Sequence, residues 1–157
     1  MNKIIKENFN LEIIELKKLD GYENENYLIT TKNKKYIFKK YPYSPELETV
    51  IKGENEVLLF LSENNEKFPS PIKAVDGKYV KIHKINGEKF ICRMLSFLEG
   101  EMLGSIKNTK EMFESLGLFL AKMDQNLQSY NNNIIKSRIW HWDLQYFHLN
   151  KKFIDYI

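Results

Sequence analysis

Residues 78–98 read KYVKIHKINGEKFICRMLSFL. Two runs rich in β-branched and aromatic residues, KYVKIHKI (78–85) and KFICRMLSFL (89–98), flank Asn86-Gly87. Asn-Gly between alternating apolar runs is the strongest short-range hairpin signal, because both residues tolerate the positive φ that a twist-compatible two-residue turn demands. Upstream, Val75-Asp76-Gly77-Lys78 can turn in the same way, and Phe68-Pro69-Ser70-Pro71 reads as an extended linker. Before that linker, residues 46–64 carry a helical pattern. Val50, Ile51, Val57, Leu58 and Leu61 form one stripe, and at 100° per residue Glu54 lies about 40° from Val50, inside it. An acid in the middle of an apolar face calls for a partner.

Earlier still, YLITT (27–31) and YIFKKY (36–41), separated by Lys32-Asn33-Lys34-Lys35, predict another hairpin. Pro42 and Pro45 punctuate its exit, with a helix starting near Ser44. Residues 11–18 (LEIIELKK) fit a strand or a short helix, and periodicity does not choose between them. Downstream of Glu99-Gly100 the period changes. Asn108 and Thr109 are cap candidates, with Glu111 completing a capping box on Asn108. Met112, Phe113, Leu116, Phe119, Leu120, Met123 and Leu127 follow at helical spacing. Asn131–Asn133 interrupt, and a second helix is expected over 139–153, with Trp140, Leu144, Phe147 and Ile154 on one face. The fold class is therefore α+β: an antiparallel sheet of about five strands with one inserted helix over 1–98, followed by helices over 99–157.

Composition bounds the function. The chain has 157 residues, 43% of them apolar, enough for a core. No apolar run reaches the ~18 residues of a membrane span, and the start has no signal-peptide pattern. The single cysteine, Cys92, cannot form an internal disulfide; it fits a reducing cytoplasm and reads as a small buried hydrophobe. The net charge is only +3, and the only arginines are Arg93 and Arg138. This argues against nucleic acid as a partner, since base readers favour clustered basic residues and bidentate arginines. The densest cluster, Lys32, Lys34, Lys35, Lys39 and Lys40, reads as a solvated strand and turn rather than a phosphate-backbone patch. His83, His141 and His148 lack metal-pair spacing and read as surface or core histidines.

One constellation carries chemistry: Lys39 in a central strand and Glu54 on the apolar stripe of the next helix. A strand lysine reaches nucleotide phosphates when a carboxylate holds its stem, and pairing relieves the burial cost of both charges. The alternative is a solvent-facing Lys39 with Glu54 reaching the helix edge.

Residues 19–27 (LDGYENENY) followed by Tyr36-Ile37-Phe38-Lys39 resemble the start of the aminoglycoside phosphotransferase/choline kinase family, most closely its hydroxylysine kinase branch. Arg93-Met94-Leu95-Ser96-Phe97-Leu98-Glu99-Gly100 is similar to the family's interlobe hinge. LGLFLAKMD (116–124) resembles the first helix of its lower lobe, and Trp142-Asp143-Leu144 a segment beyond it. The resemblance implies a protein-kinase-like N-lobe (1–98), then the hinge and first helices of an incomplete C-lobe (99–157). It implies an ATP-dependent kinase that phosphorylates a hydroxyl of a small amine or amino acid. Residues 20–26, with Gly21 and Tyr22, would cover the phosphates. Lys39 would contact the α- and β-phosphates, Glu54 would orient it, and the Ser96 carbonyl and Leu98 amide would hold adenine.

The family's catalytic loop is His-x-Asp with an Asn five residues after the Asp, followed by a metal-binding Asp. His141-Trp142-Asp143 and Asp155-Tyr156 mimic these parts, but five residues after Asp143 stands His148, and Asn150 comes at seven. Four residues before Asp155 leave no room for the intervening β-hairpin. Asp143 and Asp155 are thus decoys on this reading, and a Mg2+ site is expected outside these residues. The expectation is the front half of a kinase about twice as long, catalytically incomplete and prone to self-association through uncovered Phe119, Trp140 and Phe147. Two alternatives stand beside it: a non-catalytic nucleotide- or protein-binding descendant, and a compact kinase using Asp143 and Asp155.

Overall fold

The computed structural model describes residues 1–64, 67–140 and 143–156. Its centre is a six-stranded sheet formed by β1 (Glu15–Leu19), β2 (Glu25–Thr30), β3 (Lys35–Pro42), β4 (Pro71–Ile72), β5 (Val80–Ile85) and β6 (Glu88–Ser96). The strands run β1-β2-β3-β6-β4, with β5 also paired to β6, and every pairing is antiparallel. Both predicted hairpins form. Asn86 and Gly87 adopt φ of 51° and 89°, the left-handed pair that matches the twist of β5 and β6. The sheet has one strand more than expected because the Pro71-Ile72 pairing is too short to leave a periodic signature.

Strand register divides the side chains between two faces. Phe38 lies opposite Tyr27 on one side and Met94 on the other, and this face, with Ile29, Cys92 and Phe90, is covered by helix α1 (Asn2–Phe9). The helix presents Ile5 and Phe9, and Phe9 meets the Phe38 ring edge-on at 6.3 Å. It ends where Asn10 turns left-handed at φ 49° and its amide donates to the Lys6 carbonyl. Sequence reading had no helix here, although Met1, Ile4 and Ile5 carry the apolar i, i+3, i+4 signal, with Phe9 one turn after Ile5. Asn8 donates its side-chain amide to the Ile4 carbonyl and to Nε2 of His83, which stacks on Phe90. His83 is therefore a half-buried packing histidine at the edge of the core, and the ambiguous LEIIELKK stretch settles as strand β1 from Glu15 onward.

The opposite face carries Lys39, Tyr41, Arg93 and Ile91 and is covered in part by α2 (Pro45–Asn64). Pro45 starts that helix, where its missing N–H costs nothing, and Ser44 Oγ accepts from the Leu47 amide. Ile51 packs against Tyr41 and Ile91. The buried positions of α2 are Ile51, Gly53, Asn55 and Leu61, so the buried stripe is rotated from the predicted one; Val50, Val57 and Leu58 are half-buried.

After the sheet come a 3-10 turn (Leu103–Ser105), α3 (Lys110–Gln128), the single turn α4 (Asn133–Lys136) and a 3-10 stretch (Leu144–Tyr156). The cap of α3 is Thr109, whose hydroxyl accepts from the Met112 amide, and not the predicted Asn108 box. Of the helix expected over 139–153, residues 141 and 142 lie outside the described residues, and from Leu144 onward 3-10 turns broken at Tyr146 stand in its place. Leu144, Phe147 and Ile154 are exposed, so no shared face is buried to favour an α-helix. Among the described residues no helix is long and apolar enough to cross a membrane.

Candidate functional site

The adjacent lysines of β3 lie on opposite faces and meet opposite fates. Lys40, on the α1 side, binds Glu25 Oε1 at 2.5 Å; Tyr27 donates to Oε2 of the same carboxylate at 2.7 Å, and Lys18 lies 3.2 Å from it. The Lys40 and Tyr27 hydrogen bonds hold the Glu25 carboxyl down to about 2. Burial first, then the neighbouring carboxylate, pushes the Tyr27 phenol up to about 12. Lys40 is fully committed. Lys39, half-buried on the other face, makes no ion pair with any described residue. Burial and then the Arg93 charge push its amine below the usual lysine range, while Glu54 pulls the other way.

Glu54 is where the helix pattern put it, but the structure does not pair it with Lys39. Its Oε2 accepts from Arg93 at 2.7 Å and its Oε1 from Arg138 at 3.1 Å. Arg93 stands directly across from Lys39 in the β3–β6 register and is only 5% exposed. Its other nitrogens donate to Tyr41 Oη at 3.1 Å and Asn55 Oδ1 at 2.8 Å. A buried guanidinium holds its place only when its donor fork is satisfied this way. Sequence reading placed Arg93 in the hinge motif without a role, because nothing local shows that its side chain turns inward. The signal available was an arginine alternating with Ile91 and Leu95 in an apolar strand. The Asn55 amide nitrogen has no partner among the described residues.

The remaining expected residues lie around this face. Gly21 belongs to the loop between β1 and β2, where an added Cβ would sit 2.2 Å from the Asn24 carbonyl oxygen; only glycine allows that approach. Tyr22 projects outward and is 91% exposed. The loop runs into β2, where Asn26 lies opposite Lys39. The side-chain oxygens of Asn24 and Asn26 are buried without a partner among the described residues. Ser96 ends β6 opposite Tyr36, three positions along β3 from Lys39, a distance of about 10 Å at the rise of a strand. Its hydroxyl accepts from the Ser70 amide and its own amide donates to the Ser70 carbonyl. The Phe97 amide donates to Lys35, while Leu98 is exposed beyond the strand. An open cleft lined by Gly21–Glu25, Lys40–Tyr43 and parts of β5 and β6 excludes Lys39.

Asp143 is far from this constellation in role as well as in sequence. Its Oδ1 accepts from the Gln145 amide, the local bond of a turn-starting residue. His141 and Trp142 of the same motif, and the side chain of Asp155, lie outside the described residues. Among the described residues no group of three or more His, Cys, Asp or Glu side chains is placed to hold a metal ion. Burial pushes the Cys92 thiol up to about 12, as fits a packing residue.

The fold has solved counterparts. An amicoumacin kinase in complex with AMP-PNP and Ca2+ superposes with a TM-score of 0.71 at 22% identity, over 92% of this chain and 44% of its own. A microcompartment-associated aminopropanol kinase gives 0.68 at 18%, over 92% and 45%. A spectinomycin phosphotransferase in complex with ADP gives 0.61 at 14%, over 98% and 45%. This chain thus spans under half the length of these proteins, and at such identities the likeness is one of fold. No curated protein sequence matches it. The model of the phosphotransferase enzyme family APH, however, matches residues 15–147, and the chain belongs to that family.

Proposed function

We propose that residues 1–98 form the nucleotide-binding lobe of an ATP-dependent kinase whose acceptor is a hydroxyl group on a small amine or amino acid, as in the hydroxylysine kinase branch. One observation carries the reading: Lys39 is a half-buried ammonium with no ion-pair partner among the described residues, next to a second buried cation. An uncompensated cation in a partly desolvated site attracts an anion strongly. In this reading Lys39 takes the α- and β-phosphates of ATP, and the Gly21–Tyr22 loop closes over them through backbone amides, since its buried Asn oxygens are acceptors. The Ser96 carbonyl and Leu98 amide hold adenine, and Glu54 contributes through Arg93 rather than by direct contact with Lys39.

The described residues offer no carboxylate cluster for Mg2+, and the spacing after Asp143 does not fit a catalytic loop. The proton-accepting and metal-binding carboxylates therefore belong, in this proposal, to the half of the fold that these residues do not span. The 157 residues bind nucleotide without turning it over, in the cytoplasm, and associate with one another through the apolar side chains left exposed on α3.

Calorimetric titration with ATP, with and without Mg2+, tests the reading. Binding independent of Mg2+ and lost in Lys39→Ala supports it, and the absence of any nucleotide binding would leave a protein-binding role instead. ATP-dependent phosphorylation of hydroxylysine, abolished by Asp143→Asn, would favour a compact kinase and overturn the catalytic incompleteness.

A further inference from the structure

The second position of β2 is Asn26, where a β-branched or aromatic residue would suit the strand better. Its side chain is also poorly satisfied. Oδ1 is buried without a partner among the described residues, and a buried acceptor left without a donor weighs against the fold. Strand preference and burial both argue against asparagine here, and conflicts of that kind gather at functional positions. What the amide does reach is the loop that precedes the strand: Nδ2 donates to the Asp20 carbonyl at 3.3 Å.

This hydrogen bond closes the neck of the loop, residues 20–24. Leu19 stands opposite Asn26 in the β1–β2 register, so the bond lies one residue beyond the last strand pair. Inside the loop, a Cβ added to Gly21 would come within 2.2 Å of the Asn24 carbonyl oxygen and 2.7 Å of Asn26 Nδ2. The chain therefore folds tightly onto the same amide. On the other face of β2, Glu25 is held by Lys40, Tyr27 and Lys18, which fixes the loop exit from both sides of the strand. The register also sets Asn26 beside Lys39, and Lys39 beside Arg93, in one row across β2, β3 and β6. Directly opposite residues on antiparallel strands share a face, with Cβ atoms about 4.5–5.5 Å apart. We propose that Asn26 is a positioning residue of the phosphate site: its amide latches the neck of the 20–24 loop and keeps that loop's backbone in place one strand away from the Lys39 ammonium. The phosphate half of this inference rests on the nucleotide reading above; the latch across the loop does not.

A residue kept for positioning and one kept for packing respond oppositely to Asn26→Val. Valine removes the donor and the orphaned oxygen together, and it suits a strand. The urea midpoint should stay unchanged or rise, while the NMR order parameters of the amides of residues 21–24 fall from about 0.85 toward about 0.6. ATP and ADP binding, followed by calorimetry, should weaken about 2- to 10-fold, the range for one net hydrogen bond, with adenosine binding unchanged. Asn26→Gln, which keeps an amide donor, should fall between Asn26→Val and the wild type. Gly21→Ala, whose Cβ displaces the same amide, should loosen the loop alike, and it decides the question should Asn26→Val fail to fold. A rigid loop and wild-type ATP affinity in folded Asn26→Val overturn the proposal. So does a lowered midpoint with ATP and adenosine weakened equally, the result of a packing role. A loosened loop with unchanged ATP affinity overturns the link to phosphate. A loosened loop in a protein that binds no nucleotide upholds the latch and removes the nucleotide reading.

Discussion

Residues 1–96 and residues 97–156 use the same kinds of side chain to different effect. Among the described residues, every buried apolar residue belongs to the first region, from Ile5 to Leu95. In the second region, among the described residues, the one buried side chain is the polar Asn132, while Phe113, Leu118, Phe147 and Ile154 stand in solvent. Apolar content alone therefore does not make a core. The first region has two sheet faces and a helix for each, whereas α3 has an apolar stripe and little to bury it against. Among the described residues its one stacking contact across elements is Phe119 on Phe68, at 5.1 Å. What holds the second region to the first is a mix of ring stacking, Phe119 on Phe68 and Tyr130 on Phe60, and polar contacts, Asn132 on α2 and Arg138 on Glu54.

The widest expected gap is in stability. Phe38→Ala, at a site with no exposure, should cost about 3–5 kcal/mol in chemical denaturation. Phe113→Ala, at 54% exposure, should cost under about 0.5 kcal/mol. Equal losses at the two sites would mean that α3 is covered in solution. Hydrogen exchange sharpens the same contrast: amides of β3 and β6 should exchange only through global unfolding, and those of α3 through local opening at much lower free energy. The smallest effect concerns charge. Glu25→Gln, which removes a carboxylate with three partners, should destabilise by about 1 kcal/mol at pH 7, the upper end for partly exposed pairs. Glu114→Gln, which breaks one exposed pair with Lys110, should barely register. Because the folded Glu25 carboxyl sits at about 2, below its unfolded value, its contribution is complete above the ordinary carboxylate range. It is lost as pH falls toward 2, and the Glu25→Gln difference should vanish there.

How much of this was legible follows from the range of each interaction. The β2–β3 and β5–β6 hairpins and α2 are written in local period, turn residues and caps, and they appear where those signals put them. Helix α1 was missed although its pattern was present, because eight residues of which three are lysines or glutamates look like a polar lead-in until a sheet face is there to receive Ile5 and Phe9. The stretch after Trp140 was misread in the opposite direction: its period is helical, but nothing among the described residues buries the face that period creates. In the site, Lys39 and Glu54 were each legible from their own element. That they do not pair was not legible, because Glu54 is held by Arg93 and Arg138, 39 and 84 residues away, and no local pattern encodes contacts at those separations.

The confinement of the core to the first region has a consequence for biosynthesis. Translation adds about 5–20 residues per second. The roughly sixty residues from 97 onward thus take about 3–12 s to make, while small mixed domains fold in milliseconds to seconds. Once clear of the ribosome, the sheet and both its covering helices can settle around Arg93 before the last residues are added. The Arg138 guanidinium then arrives at a Glu54 carboxylate already in place, so residues 130–138 dock onto a sheet that is already formed.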